Sequence, residues 1–195
     1  MDLSSQRPRR ALARRRPATV GRRPVTVTVR GPDPVAFAPY GAFVDPPAAV
    51  GERALFSQWL EPVVGRSQQA HVNRVPCSAL PLTIDRVECH PHAAQLFVPM
   101  GEVTRYLVIV MPSDAAGDPD PGRAEAFLVP GSRGVVYAPG VWHTGISVLD
   151  ADASFAVFMW RGGDDDDVFA SVPAFEVVAG DVAVGDVPVI EAAHG

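Results

Sequence analysis

Polar and apolar residues alternate along much of this chain with a period of two. In residues 25–29 (Val-Thr-Val-Thr-Val) β-branched side chains follow one another in the pattern of a half-buried strand. The same period recurs at 70–75, 83–90, 95–99 and 153–159. Residues 104–111 (Thr-Arg-Tyr-Leu-Val-Ile-Val-Met) are apolar almost throughout, which predicts a core strand covered on both faces. A strand begins at 125–129, and another fills 134–137 (Gly-Val-Val-Tyr). The Pro139-Gly140 pair ends the latter in a tight turn, and residues 141–143 start a new strand. Asp33 before Pro34 predicts a short capped helical turn. Residues 42–44 lead into a Pro-rich loop. Phe56, Trp59 and Leu60 fit a helix or a strand equally. Turn-forming residues at 112–122, 130–134 and 162–167 punctuate the rest. Short, regularly spaced strands with little helix read as a mainly β fold, an antiparallel sandwich or barrel.

Length and charge refine this picture. A chain of 195 residues with 47% apolar content fits one domain with tails. Residues 1–23 carry eight Arg against one Asp, a balance of +7, while the remainder carries nine Arg against 21 acidic residues, −12. The basic segment 1–24 is broken by three Pro and is expected to be disordered. It has no aromatic residues for base stacking, so nucleic acid is not an expected partner. Residues 25–175 form the expected folded domain. Residues 176–195, rich in Gly, Ala, Val and Asp, form a C-terminal extension that is either an extra strand or a frayed tail. No apolar run reaches the roughly 18 residues of a membrane span, and the N-terminus lacks the apolar region of a signal peptide. Cys77 and Cys89 alone suggest no oxidised framework, so a reduced, cytoplasmic setting is expected. The chain contains no Lys, which excludes Schiff-base chemistry through a lysine.

Candidate chemistry collects in two stretches, 88–99 and 134–143, read as opposite walls of a pocket in a small barrel. His143, just past the Pro139-Gly140 turn, is a candidate metal ligand or general base. His90 and His92 would share a face if Pro91 keeps the strand in register; His92 also reads as a solvated turn residue. Gln95 offers a donor and an acceptor to a carboxylate or amide substrate. Two or three His with a carboxylate or amide oxygen suit a divalent transition metal. Glu88 and Glu102 flank this group. Arg74, Arg105 and Arg161 are candidate carboxylate clamps. The run 164–167 of four Asp lacks the spacing of a calcium loop and reads as a solvated turn.

These residues resemble the ureidoglycolate lyase (ureidoglycolate hydrolase) family. The similarity rests on Leu80-Pro81 leading into Glu88-Cys89-His90-Pro91, then Gln95-x-Phe97-x-Pro99. It continues through Arg123–Phe127, Gly134-Val135-x-Tyr137 and Trp142-His143, with weaker matches at Asn73-Arg74 and Arg161-Gly162-Gly163. The family pattern differs at Cys89 (Arg), Ala138 (His), Thr144 (His) and Trp160 (Asp). The resemblance implies a cupin-like antiparallel β-barrel, a double-stranded β-helix or jelly roll, with a few short helices. It implies a carbon–nitrogen lyase of allantoin and purine catabolism that splits ureidoglycolate into glyoxylate and urea. His143 would act as acid/base or ligand with His90 as its partner, Gln95 on the ureido group, and Arg74 or Arg161 on the carboxylate. Tyr137, Trp142 and Glu88 would also touch substrate. The family further implies a homodimer and a possible divalent metal, nickel, on His90 and His143. Two alternatives stand beside it. One is a divergent cupin enzyme for another small hydroxy or oxo acid, its pocket made more apolar by Trp160 and Ala138. The other is a non-catalytic small-molecule-binding cupin.

Overall fold

A computed structural model describes residues 25–182; segment 1–24 and residues 183–195 lie outside it. The described chain runs β1 (Thr26–Arg30), α1 (Pro34–Phe37), β2 (Gly41–Val44), β3 (Ser67–Val75), β4 (Leu82–Cys89), β5 (Gln95–Met100) and β6 (Arg105–Met111). It continues with β7 (Glu125–Pro130), β8 (Gly134–Tyr137), β9 (Trp142–His143), β10 (Ser147–Leu149), β11 (Ala153–Arg161) and β12 (Val168–Val178). One sheet has the order β10-β6-β7-β1-β12-β4-β9, and β9 pairs back onto β6, closing it into a barrel. The other has the order β2-β8-β5-β11-β3. The mainly β, cupin-like expectation therefore holds. Strand pairings are antiparallel except those of β1, which runs parallel to both β12 and β7.

The apolar run at 104–111 shows why the layers hold. Tyr106, Val108 and Val110 of β6 face a core shared with Phe97, Val135, Phe155 and Val157 of the second sheet. Leu107, Ile109 and Met111 face the other way, into a core with Val29, Val87, Leu128 and Phe175. Each such fully buried side chain contributes roughly 1.5–3 kcal/mol, so β6 anchors both layers. The Asp33 carboxylate caps α1 by accepting from Val35 and Ala36, and this turn seats Phe37 against Phe43 and Phe127.

Some local structure differs from the sequence-based expectation. Residues 51–64 form neither a long helix nor a strand; only a 3-10 turn at Ser57–Trp59 is regular. Strand β12 runs through the expected domain boundary at 175 to Val178. A register shift between Ser171 and Phe175 breaks its alternation, which hides it from a period-two pattern.

Two features bring the His stretches together. The Gly140 N–H donates to the His90 carbonyl at 2.9 Å, and Gly140 holds φ +78°, where glycine is favoured. Pairing of β4 with β9 then sets Glu88 directly opposite His143. Gln95 lies opposite Tyr137 on β5 and β8.

Candidate active site

A cavity of about 320 Å³ opens between the two sheets. Glu88 and His90, at the end of β4, form one wall, with Gln95 of β5 beside them. Met159 and Arg161 of β11 and His71 and Asn73 of β3 also line it, each pair spaced two apart and so on one strand face. His143 sits behind Glu88 and Gln95, 1% exposed.

The imidazole of His143 is fixed from three sides. Its Nδ1 donates to the Val141 carbonyl at 2.9 Å, and the Tyr137 ring stacks on it at 4.0 Å and 16°. Its Nε2 lies 3.1 Å from Gln95 Oε1 and 3.6 Å from Glu88 Oε1. Burial lowers its pKa to about 3; the Val141 carbonyl opposes the shift and nearby His90 adds to it. His143 is therefore neutral at physiological pH.

His90 is held in the same way. Its Nδ1 lies 3.2 Å from the Asp166 carbonyl oxygen and 2.9 Å from Asp167 Oδ1, and its Nε2 lies 3.1 Å from the same Gln95 Oε1. Asp167 Oδ1 also pairs with Arg161 Nη2. Burial raises the pKa of Glu88; His90 is the strongest opposing influence, Asp167 adds to the rise, and Arg161 and Arg86 oppose it. The Glu88 carboxyl thus holds a proton more readily than an exposed glutamate.

The donor set fits a divalent cation. Each Nδ1 faces oxygen acceptors only and so carries a proton, which leaves Nε2 as the nitrogen each ring would offer to a metal. A hydrogen bond from the far ring nitrogen to a carbonyl or carboxylate is the usual support of a metal-bound histidine. Glu88, His90 and His143 each offer a ligand atom, and these atoms lie within 4.8 Å of one another. Two imidazoles with a carboxylate suit zinc, nickel or iron.

A family model for ureidoglycolate lyase matches residues 25–177. The chain belongs to the ureidoglycolate lyase family. It is 44% identical to the ureidoglycolate lyase of Burkholderia cepacia over 92 residues, 47% of this chain and 50% of that one. It is 33% identical to that of Schizosaccharomyces pombe over 87 residues, 43% and 46% of the two chains. A putative ureidoglycolate lyase of Agrobacterium fabrum is 30% identical over 142 residues, 71% of this chain and 87% of the relative. The chain spans about half the length of the B. cepacia and S. pombe proteins.

Not every residue expected from the ureidoglycolate lyase resemblance reaches the cavity. His90, Gln95, Glu88 and Arg161 line it, with His143 directly behind. Arg74 does not: β3 alternates, so its neighbour Asn73 takes the inner face and Arg74 is exposed. Trp142 points away from His143 along β9, into the second core, and its indole N–H donates to the Gly117 carbonyl at 3.1 Å. Tyr137 supports His143 and is absent from the cavity wall; its hydroxyl has no partner among the described residues. Trp160 leaves the pocket no more apolar, because it faces outward and donates to the Leu60 carbonyl at 3.1 Å. Ala138 is also absent from the wall. His92 is more than a third exposed and pairs with Asp165 at 2.7 Å, as a turn residue would. Arg105 pairs with Asp150, away from the cavity.

The Asp run is the main correction. Asp166 is buried, accepting from Gly162 N at 2.6 Å, Gly163 N at 2.8 Å and Arg66 Nε. These backbone donors, Gly162 first and then the Arg66 guanidinium, hold its carboxyl well below the usual range. The loop so tightened presents the Asp166 carbonyl and the Asp167 carboxylate to His90. Two glycines directly before the Asp run are the signal that marked it: they free N–H groups to approach one carboxylate.

Proposed function

We propose that this protein is a carbon–nitrogen lyase that splits ureidoglycolate into glyoxylate and urea in allantoin catabolism. The observation that carries the reading is the meeting of Glu88, His90, Gln95 and Arg161 on one cavity, backed by His143, in a ureidoglycolate lyase-family chain. The substrate is a carbinolamide. Once its hydroxyl proton is removed, the oxygen's electron pair forms the aldehyde C=O as the C–N bond breaks. The departing nitrogen takes a proton to give urea, and no water is consumed.

The residues divide these tasks. Arg161 lines the cavity with Nη2 on Asp167, and the rest of its guanidinium fork is the clamp for the substrate carboxylate. A neutral imidazole Nε2, held by its Nδ1 tether, accepts the hydroxyl proton. Glu88, favoured in its protonated form, delivers a proton to the leaving nitrogen. Asn73 and Gln95 offer donors and acceptors to the ureido group. Glu88, His90 and His143 are also the residues that would hold a divalent metal such as nickel, and its polarisation of an oxygen would then stand in place of their acid–base roles. Acid–base help of this kind contributes roughly 10²–10⁴-fold.

A homodimer and a cytoplasmic setting complete the proposal. The first is supported by β3, a nine-residue edge strand exposed along almost its whole length. The second is supported by two cysteines that are both free thiols. The test is product analysis on purified protein given racemic ureidoglycolate. Equimolar glyoxylate and urea without ammonia support a lyase. Ammonia in place of urea rejects the lyase chemistry, and release no faster than the spontaneous rate rejects the substrate.

A further inference from the structure

The cavity is longer than ureidoglycolate. Arg161 pairs with Ser67 across β11 and β3, whereas Val75, which lines the same cavity, pairs with Ala153. Ala153 lies eight residues before Arg161 on β11, so the lining is spread along roughly 26 Å of strand. Ureidoglycolate is two peptide-like units long and spans only about 7 Å. The reach of the Arg161 side chain does not make up the difference.

The two ends of the cavity differ in character. Asp167 ties Arg161 to His90, His90 Nε2 lies 3.1 Å from the Gln95 amide, and that amide lies 3.6 Å from Met159 Sδ, two residues from Arg161 on β11. The polar groups, Glu88 among them, therefore gather at the Arg161 end. Val75, Phe97 and Ile146 line the rest and pack in one apolar cluster, Phe97 and Ile146 buried and Val75 partly so. None of these three has a task in splitting ureidoglycolate, which is polar along its whole length. The substrate's direction points its free end at them. Asn73, which serves the ureido group, precedes Val75 by two residues on one face of β3. With the carboxylate on Arg161 and the ureido group on Asn73, the distal ureido nitrogen faces the apolar end.

We propose that the protein also cleaves N′-alkyl ureidoglycolates, R–NH–CO–NH–CH(OH)–COO⁻, with the alkyl group R seated on Val75, Phe97 and Ile146. The bond changes are those of the parent reaction. The hydroxyl loses its proton, its oxygen forms the aldehyde C=O as the C–N bond breaks, and the leaving nitrogen takes up a proton. Glyoxylate and an N-alkylurea result, with no water and no co-reactant consumed. An alkyl group on the apolar wall leaves water in the bound state, and the ureido hydrogen bonds are kept. This extension rests on the lyase reading, and ureidoglycolate assayed alongside separates the two.

The test is steady-state kinetics of the full-length protein on ureidoglycolate and on its N′-methyl, ethyl, propyl and butyl derivatives, each made from glyoxylate and the alkylurea. Glyoxylate and alkylurea are followed by chromatography. From methyl to butyl, kcat/KM should rise about three- to fourfold per added CH₂. Val75→Asn, which sets an amide in the apolar end, should erase most of that rise. Its readout is the ratio of butyl to parent kcat/KM, which does not depend on the fraction of enzyme that is folded. Cleavage of ureidoglycolate with a flat or falling series would overturn the extension alone, as would a wild-type ratio in V75N. No cleavage of ureidoglycolate or of any derivative above the spontaneous rate would reject the lyase reading and this extension with it.

Discussion

Tyr137→Phe separates support of His143 from contact with substrate. The phenol is 1% exposed, and its hydroxyl has no hydrogen-bond partner among the described residues. Burial raises its pKa well above 10, so it remains a protonated, unsatisfied donor throughout the physiological range. A buried hydroxyl without a partner costs about 1–3 kcal/mol. Phenylalanine removes that cost and keeps the ring, including the 4.0 Å stack on His143. A gain of that size in a domain of this length raises Tm by about 2–4 °C per kcal/mol. Y137F should therefore melt roughly 2–12 °C higher by calorimetry, with kcat/KM within about threefold of wild type. Y137L, which loses the stack, should melt lower and lose at least about tenfold in kcat, since a misplaced base costs heavily. A lower Tm in Y137F, or a tenfold rate loss with unchanged stability, would show that the hydroxyl has a partner or touches substrate.

Other substitutions probe the rest of the site. Glu88→Gln should lower kcat roughly 10²–10⁴-fold with little change in Tm, read by a glyoxylate-trapping assay. Asp167→Asn loosens both His90 and Arg161, so stopped-time kinetics should show kcat falling and KM rising together, by about tenfold or more in kcat/KM. Trp160→Phe, which removes only the outward indole bond to the Leu60 carbonyl, should leave KM within about twofold in steady-state assays. His143 has its folded pKa lowered from 6.5 to about 3. The unfolded chain then takes up a proton that the folded one refuses, so this group's effect is absent above about pH 6.5 and destabilises progressively toward pH 3. Denaturant titrations should show stability falling by up to about 1.4 kcal/mol per pH unit from this group, and His143→Asn should flatten that slope.

Much of the barrel was legible in the sequence, because a strand with one buried face writes its period into the residues. The run at 104–111 announced burial on both sides, and the Pro139-Gly140 turn placed His143 correctly. Strand β12 was hidden by the register shift at Ser171–Phe175, and β10 by its three-residue length. Within the site, two-residue spacing on β11 and β3 fixes which side chains share a face but not which face is inward. Hence Asn73, not Arg74, lines the cavity, and Trp160 lies outside it. Four consecutive carboxylates favour water, yet Asp166 is buried; its burial depends on Arg66, 100 residues away in sequence, which no local pattern reveals.

The most direct test is a side-by-side assay of glyoxylate release from ureidoglycolate by wild type and Arg161→Gln, with folding of both checked by circular dichroism. The expected result is release by wild type far above the spontaneous rate. In R161Q, kcat/KM should fall roughly 10²-fold or more, as loss of a charge-assisted clamp on the cavity wall implies. Equal rates for the two proteins would place the reaction elsewhere than this cavity and contradict the lyase site.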